Sequence, residues 1–171
     1  HLVHNTLVGL NLRRHIKLGA SGKIINGFDV MRTVALGADW CNSARGFMFA
    51  LGCIQAQTCH TCNCPTGVAT QDPKRQIALV VPTKADRVRN FHHETLESVR
   101  EMLQATGLTS PSDLSLKHIM RRVSALEVQT LSSLMPSLSE GALLEERALE
   151  GLYQQYWHDA SAHSFSLKPQ A

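Results

Sequence analysis

The 171-residue chain contains no apolar run near the ~20 residues that a membrane-spanning helix needs, and nothing at its start has the form of a secretory signal. Both absences argue against a helical membrane protein and favour a cytoplasmic one. A basic stripe is missing too. The formal net charge is only +3, with 17 Lys and Arg scattered among 14 Asp and Glu, so the electrostatic footprint of a nucleic-acid binder is lacking. No internal repeat is present, and low complexity is confined to residues 158–171. The chain opens at His1 without an initiator methionine, inside what reads as a helix, and is therefore expected to be the carboxyl-terminal piece of a longer protein.

What is present in excess is cysteine, in one place. Cys53, Cys59, Cys62 and Cys64 fall within a short span beside His60, where an apolar helix gives way to a polar loop. Thiolate and imidazole select zinc, copper(I) or iron-sulfur clusters over hard cations. A structural zinc site usually takes two close pairs of ligands separated by a spacer, and this run is not built that way. Cys53, Cys59 and Cys64 form an asymmetric set of three on one wrapping loop, and cysteine-only ligation suits an iron-sulfur cluster. Pro65 fixes the backbone after Cys64, and Gly67 lets the chain leave tightly. Burial as small hydrophobes, a disulfide, or zinc held by Cys53, Cys59, His60, Cys62 and Cys64 are the competing readings. Cys41 stands apart in an apolar strand and reads as core. Unpaired cysteines so spaced suit a reducing compartment.

Along the chain, residues 1–14 place Leu2, Val3, Leu7 and Leu10 near a helical period, with Arg13, Arg14 and His15 suited to the negative helix end. The run 16–20 reads as a strand emptying into a loop at Ser21, Gly22 and Lys23. A helix is expected over 28–36, a second strand over 38–43 and another helix over 45–51. This alternation is the arithmetic of consecutive β/α units. Residues 66–81 read as irregular, with a turn at Asp72-Pro73 and a brief extended segment over 77–81. Thr83 opens a helix to Gly107 whose apolar face carries Val88, Phe91, Thr95, Val99, Met102 and Leu103, with Asp86 completing its cap. His92 and His93 on it read as surface or packing residues. A linker over 106–113, a short helix over 114–120, a helix opened by a Ser124/Glu127 capping box with Leu126, Leu131 and Leu134 buried, and a helix over 139–157 complete the expectation, ahead of a frayed tail over 158–171.

The stretch GADWCNSARGFMFALGCIQAQTCHTCNCPTGVATQDP, with GASGKIINGFD before it and KADRVRNFHHET after it, closely resembles the FMN-binding synthase domain of glutamate synthases, particularly shorter relatives without a glutaminase domain. The likeness runs from about His4 to Val123. It implies an α/β fold in which this chain supplies the carboxyl-terminal part, the last two β/α units, of a (β/α)8 TIM barrel, followed by the cysteine loop and a mainly helical tail. A whole barrel takes about 250 residues, so the rest of the barrel is an implied partner. The resemblance divides the chain into residues 1–82, the barrel end with its cysteine loop, 83–157, a helical extension, and 158–171, a disordered tail.

The same resemblance implies two cofactors, FMN and a three-iron, four-sulfur cluster. Cys53, Cys59 and Cys64 match the cluster ligands, whereas Cys62 departs from the pattern and leaves the cluster type open. Ser21, Gly22 and Lys23 match a first phosphate-contacting loop, and Ala44, Arg45 and Gly46 a second, in the place where barrels of this type form phosphate sites. The implied parent enzyme is an oxidoreductase acting on CH-NH2 donors in ammonia assimilation. It reduces 2-iminoglutarate, formed from 2-oxoglutarate and ammonia, to glutamate, with ferredoxin or an NADPH-dependent subunit as electron donor. No catalytic acid, base or nucleophile is assigned in this chain, and the 171 residues alone are expected to be inactive, with an exposed barrel edge. The alternatives are a zinc-binding structural module and an FMN barrel oxidoreductase with a different 2-oxo or 2-hydroxy substrate.

Overall fold

The structure, a computed structural model, describes residues 1–145 and 149–166. In chain order its elements begin with helix α1 (Leu2–Gly9), strand β1 (Gly19–Ser21), helix α2 (Gly27–Ala35), strand β2 (Trp40–Asn42) and helix α3 (Arg45–Leu51). Helices α4 (Pro73–Gln76) and α5 (Val81–Ala105) follow, then strands β3 (Met120–Arg122) and β4 (Val128–Thr130). Helices α6 (Leu131–Leu134), α7 (Ala142–Glu145) and α8 (Gly151–Tyr156) come last. Two compact units result: residues 17–136, and residues 1–16 together with 137–171.

In the larger unit, β1 and β2 pair in parallel, Gly19 opposite Trp40, Ala20 opposite Cys41 and Ser21 opposite Asn42, with α2 as the crossover. This is a β/α/β unit, and α3 follows it as the order of elements predicts. A Cβ on Gly19 would lie 2.5 Å from the Trp40 ring, so the absence of a side chain there lets the indole lie across the strand pair. Helix α2 starts on a capping box formed by Asn26 and Asp29. The Asn26 side chain accepts from the Asp29 amide at 2.9 Å, and Asp29 Oδ2 accepts from the amides of Asn26 and Ile25, satisfying donors that a helix start leaves open.

Helix α5 organises this unit because its apolar stripe has two customers. Val99 and Leu103 are buried with Met31 and Ala35 of α2 and with Leu114, Leu116, Ile119 and Leu131 further on. Toward its start, Phe91 meets Phe47 of α3 edge-on, ring centres 5.3 Å apart, and Gly46 gives the room, since a Cβ there would stand 2.9 Å from the Phe91 ring. Burial of apolar area drives both contacts. The expected face of α5 is the one observed, but the helix begins at Val81, with Pro82 in its first turn and no side-chain cap. Residues 77–81 do not form the expected extended segment: Ile77 has helical backbone angles, Ala78 and Leu79 donate back to Arg75 and Gln76, and Val80 is extended before α5 begins. Asp72 caps the short α4 by accepting from the Lys74 amide.

The expected helices over 114–120 and 124–135 are replaced. Residues Leu116–His118 form a 3-10 turn, and β3 and β4 pair as an antiparallel ribbon, Met120 opposite Thr130. Ser124 and Glu127 do bond each other, but as backbone of the hairpin turn, Ser124 N–H donating to the Glu127 carbonyl. Leu126 at the tip is 100% exposed, so the face expected to bury it does not exist. The β-branched Val128 and Thr130 suit a strand better than a helix. Only α6 remains of the second helix, carrying the buried Leu131.

In the smaller unit, Asn5 is buried and its side chain accepts from the Leu138 amide at 2.7 Å. Gly9 lies against Leu143 of α7, where a Cβ would come within 2.6 Å. Tyr153 of α8 donates to the Leu2 carbonyl and shares a hydrogen bond with the Thr6 hydroxyl. The helix expected over 139–157 is thus two short helices, and its residues 146–148 lie outside the described residues, as do 167–171 of the expected tail. Among the described residues no helix is long and apolar enough to cross a membrane.

Candidate functional site

Two turns leave the parallel strands at the same end. Where β1 ends, Ser21, its last residue, and Gly22 and Lys23 beyond it are exposed, and Gly22 (φ 119°) and Lys23 (φ 53°) both take positive φ. A Cβ at Gly22 would meet nothing within 4 Å, so it is backbone conformation and not crowding that favours glycine there. After β2, Ala44 and Arg45 are exposed while Gly46 is buried, and Ala44 as N-cap of α3 provides no side-chain acceptor. The turns are tied together by the Ser43 hydroxyl, which donates to the Ile24 carbonyl at 2.6 Å.

Helix α3 ends on Gly52 in the left-handed region (φ 110°), and the Cys53 amide donates back to the Met48 carbonyl at 2.9 Å. This turn aims the cysteine loop back along α3. Within the loop Gln55, Gln57 and Cys62 all have positive φ, between 56° and 59°, a conformation that costs a non-glycine residue ~1–2 kcal/mol. Such strain gathers where surrounding structure or a ligand over-determines the backbone. The loop is pinned by its own threonines: Thr61 Oγ1 donates to the Thr58 carbonyl, and Thr70 Oγ1 to that of Cys62.

All five cysteines are free thiols, so the disulfide reading is not the one realised. Cys53 is half-buried with its sulfur accepting from the Gln55 amide at 3.5 Å; Cys59 and Cys62 are exposed; Cys64 is buried. The Cys64 thiol is lowered to about 7, first by the Thr66 hydroxyl and then by the amides of Ala69 and Thr66. A sulfur surrounded by donors is prepared to be a thiolate. Burial instead pushes the Cys41 thiol up, against a smaller opposing hydrogen bond from Thr33; the residue is half-buried in β2 and not part of the core expected for it.

Ala44, Arg45, Met48 and Phe49 line one cavity of about 340 Å³ together with Cys53, Gln55, Gln57 and Cys59. The second predicted phosphate turn and two of the three predicted cluster cysteines therefore face the same space. Gly22 borders a different cavity, of about 640 Å³. Neither lining includes Ser21, Lys23, Gly46 or Cys64. Among the described residues no three His, Cys, Asp or Glu side chains converge to hold a metal ion, so Cys53, Cys59 and Cys64 are not brought together as a ligand set, although Cys53 and Cys59 share a cavity. In donor chemistry three thiols on one loop, one of them ringed by hydrogen-bond donors, are of the type that holds an iron-sulfur cluster. Gln55 and Gln57 carry no signal in the sequence, because glutamine does not favour positive φ, so only the backbone path reveals them.

The family model for the conserved region in glutamate synthase matches residues 1–109. The glutamate synthase large subunit-like protein YerD of Bacillus subtilis (strain 168) is 43% identical over 121 residues, covering 71% of this chain and 23% of that protein. Ferredoxin-dependent glutamate synthase 2 of Synechocystis sp. is 39% identical over 113 residues, 66% of this chain and 7% of that one. The NADH glutamate synthase of Saccharomyces cerevisiae is 30% identical over 111 residues, 65% of this chain and 5% of that one. The chain thus spans about a quarter or less of the length of these curated relatives. Its parallel strand pair, the turns beyond it and the cysteine loop all lie inside the matched region, and by that match the chain belongs to the glutamate synthase family.

Proposed function

We propose that the chain supplies the closing β/α units of an FMN-binding (β/α)8 barrel together with its iron-sulfur loop, in an oxidoreductase that makes glutamate from 2-iminoglutarate. Arg45 facing the same cavity as Cys53 and Cys59 is the observation that carries this reading, because electron transfer between a flavin and a cluster requires their binding elements to be neighbours. Cys53, Cys59 and Cys64 would hold a three-iron, four-sulfur cluster, with Cys62 outside the ligand set. Ser21, Gly22, Lys23, Ala44, Arg45 and Gly46 would form the phosphate grip, Arg45 through its guanidinium and the others through backbone. When bound, FMN supplies hydride chemistry and the cluster single electrons. This chain's own part is to orient both groups; the donors of protons and the carboxylate contacts of the substrate would come from other strands.

On this reading residues 1–82 are the cofactor-bearing part, 83–157 an extension whose long helix α5 braces α2 and α3, and 158–171 a tail. The protein would work in the cytoplasm, drawing electrons from ferredoxin or an NADPH-dependent subunit. The test is anaerobic purification of the full-length protein with iron, acid-labile sulfide and flavin measured together. Brown material whose iron is lost in each of Cys53→Ser, Cys59→Ser and Cys64→Ser, but kept in Cys62→Ser, is the expected result. Colourless protein that holds zinc would overturn it. Glutamate formed from 2-oxoglutarate and ammonia with a reduced donor tests the substrate separately.

A further inference from the structure

We propose that the cavity between α2 and the β3–β4 ribbon is a binding site for a small amphipathic anion, a carboxylate or a phosphate monoester on an apolar ring or chain. Its volume is about 640 Å³, within the ~300–1,000 Å³ typical of small-molecule sites. Much of the wall is apolar, with Phe28 from α2, Leu36 just past its end, and Ile119, Leu131 and Met135, and two guanidiniums, Arg32 and Arg121, join it. That combination, an apolar body with a few charged donors, is the usual anatomy of a ligand pocket.

Charge at the site is unbalanced. The Arg121 guanidinium has no hydrogen-bond or ion-pair partner among the described residues, whereas its neighbour Arg122 spends itself on the Ala125 carbonyl. Arg32 contacts Asp29 Oδ1 at 3.2 Å, but the other oxygen of that carboxylate is already taken by two backbone amides. A guanidinium carries five N–H donors in a planar fork, so most of the Arg32 fork remains to be used. Two arginines lining one cavity suit capture of a planar carboxylate or a phosphate, since a guanidinium can bind either through two parallel N–H donors.

The site goes beyond the flavoenzyme reading. Gly22 stands at its rim, but the two guanidiniums come from α2 and β3, and the ribbon lies past residue 109, where the match to the family model ends. Half of the cavity is therefore built from residues outside the conserved region.

The experiment titrates the full-length protein with benzoate, phenyl phosphate and benzyl alcohol, following binding by ligand-observed NMR and flavin by absorbance. Saturable binding of at least one anion, with the alcohol weaker by on the order of tenfold or more, is expected. The tighter of the two anions identifies the headgroup. Arg121→Gln, a change on an exposed strand, should weaken the anion by a similar factor without altering flavin content, and Arg32→Gln should do likewise. Equal binding of the alcohol, indifference to both substitutions, or release of flavin by the anion would each overturn the proposal. If Arg32→Gln disturbs α2, Arg121→Gln decides alone. A protein that purifies without flavin would count against the flavin reading, and the same titration would still decide the anion site.

Discussion

The Ser43 hydroxyl donates to the Ile24 carbonyl across 2.6 Å, joining the turn after one parallel strand to the turn after the next. Ile24 itself is buried, so its carbonyl has poor access to water. Ser43→Ala should cost about 1 kcal/mol of stability and loosen both turns together. Denaturant unfolding of the variant checks the first effect, and hydrogen exchange at residues 22–25 and 44–46 the second. Exchange raised in only one of the two turns would show that they are not coupled through this bond.

Gly67 holds the exit of the cysteine loop. At φ 76°, with a Cβ that would stand 2.3 Å from the Arg75 carbonyl oxygen, the position combines left-handed backbone with a clash against main chain that no rotamer change relieves. Gly67→Ala is expected to destabilise by ~1–3 kcal/mol from strain, with the overlap adding to it. Thermal unfolding measures the loss, and iron retained per chain reports whether the loop survives.

Cys62 gives the opposite forecast. Its φ of 59° is paid for by a residue with a Cβ, and the side chain is exposed. Cys62→Gly should relieve ~1 kcal/mol of local strain, offset in part by the greater freedom of glycine in the unfolded chain. A melting temperature equal to or above that of the parent, with unchanged iron, is the expected outcome. A clear loss of iron would make Cys62 a ligand.

Cys41 sets a pH dependence. Burial raises its thiol above the ordinary 9.0, so the neutral form is favoured in the folded state. Its contribution to stability is full below the unfolded-chain value and is lost as pH rises through the folded one, because the unfolded chain ionises first. Stability measured from pH 7 to 11 should fall at the alkaline end, and Cys41→Ala should flatten that limb. Alkylation of native Cys41 near pH 8 should lag behind that of the exposed Cys62.

The alternation of short apolar strands with amphipathic helices was legible in the sequence because each element carries its own period and its own punctuation. Helix α3 spans Arg45–Leu51, matching the stretch expected of it, and the apolar stripe of α5 from Val88 to Leu103 points where its spacing says. The density of Cys53, Cys59, Cys62 and Cys64 is equally local, as is the likeness that embraces them. Residues 114–135 depart from their local pattern for a related reason. Ser124 and Glu127 satisfy a helix-start pattern, but the same two residues close a hairpin turn, and only the partner strand across the ribbon distinguishes the two.

Sequence alone therefore determined the alternation of elements from β1 to α3 and where sulfur is concentrated, since both depend on residues near one another along the backbone, but not the short helix α4 within the stretch read as irregular. Tertiary structure decided which predicted residues share a space: Arg45 with Cys53 and Cys59 in one cavity, Gly22 in another with Arg121. That outcome follows from α5 packing on α2 and α3 and from positive φ at Lys23, Gln55 and Gln57. Long-range burial and left-handed backbone at ordinary residues leave no periodic trace in a sequence, so they emerge only when the chain is folded.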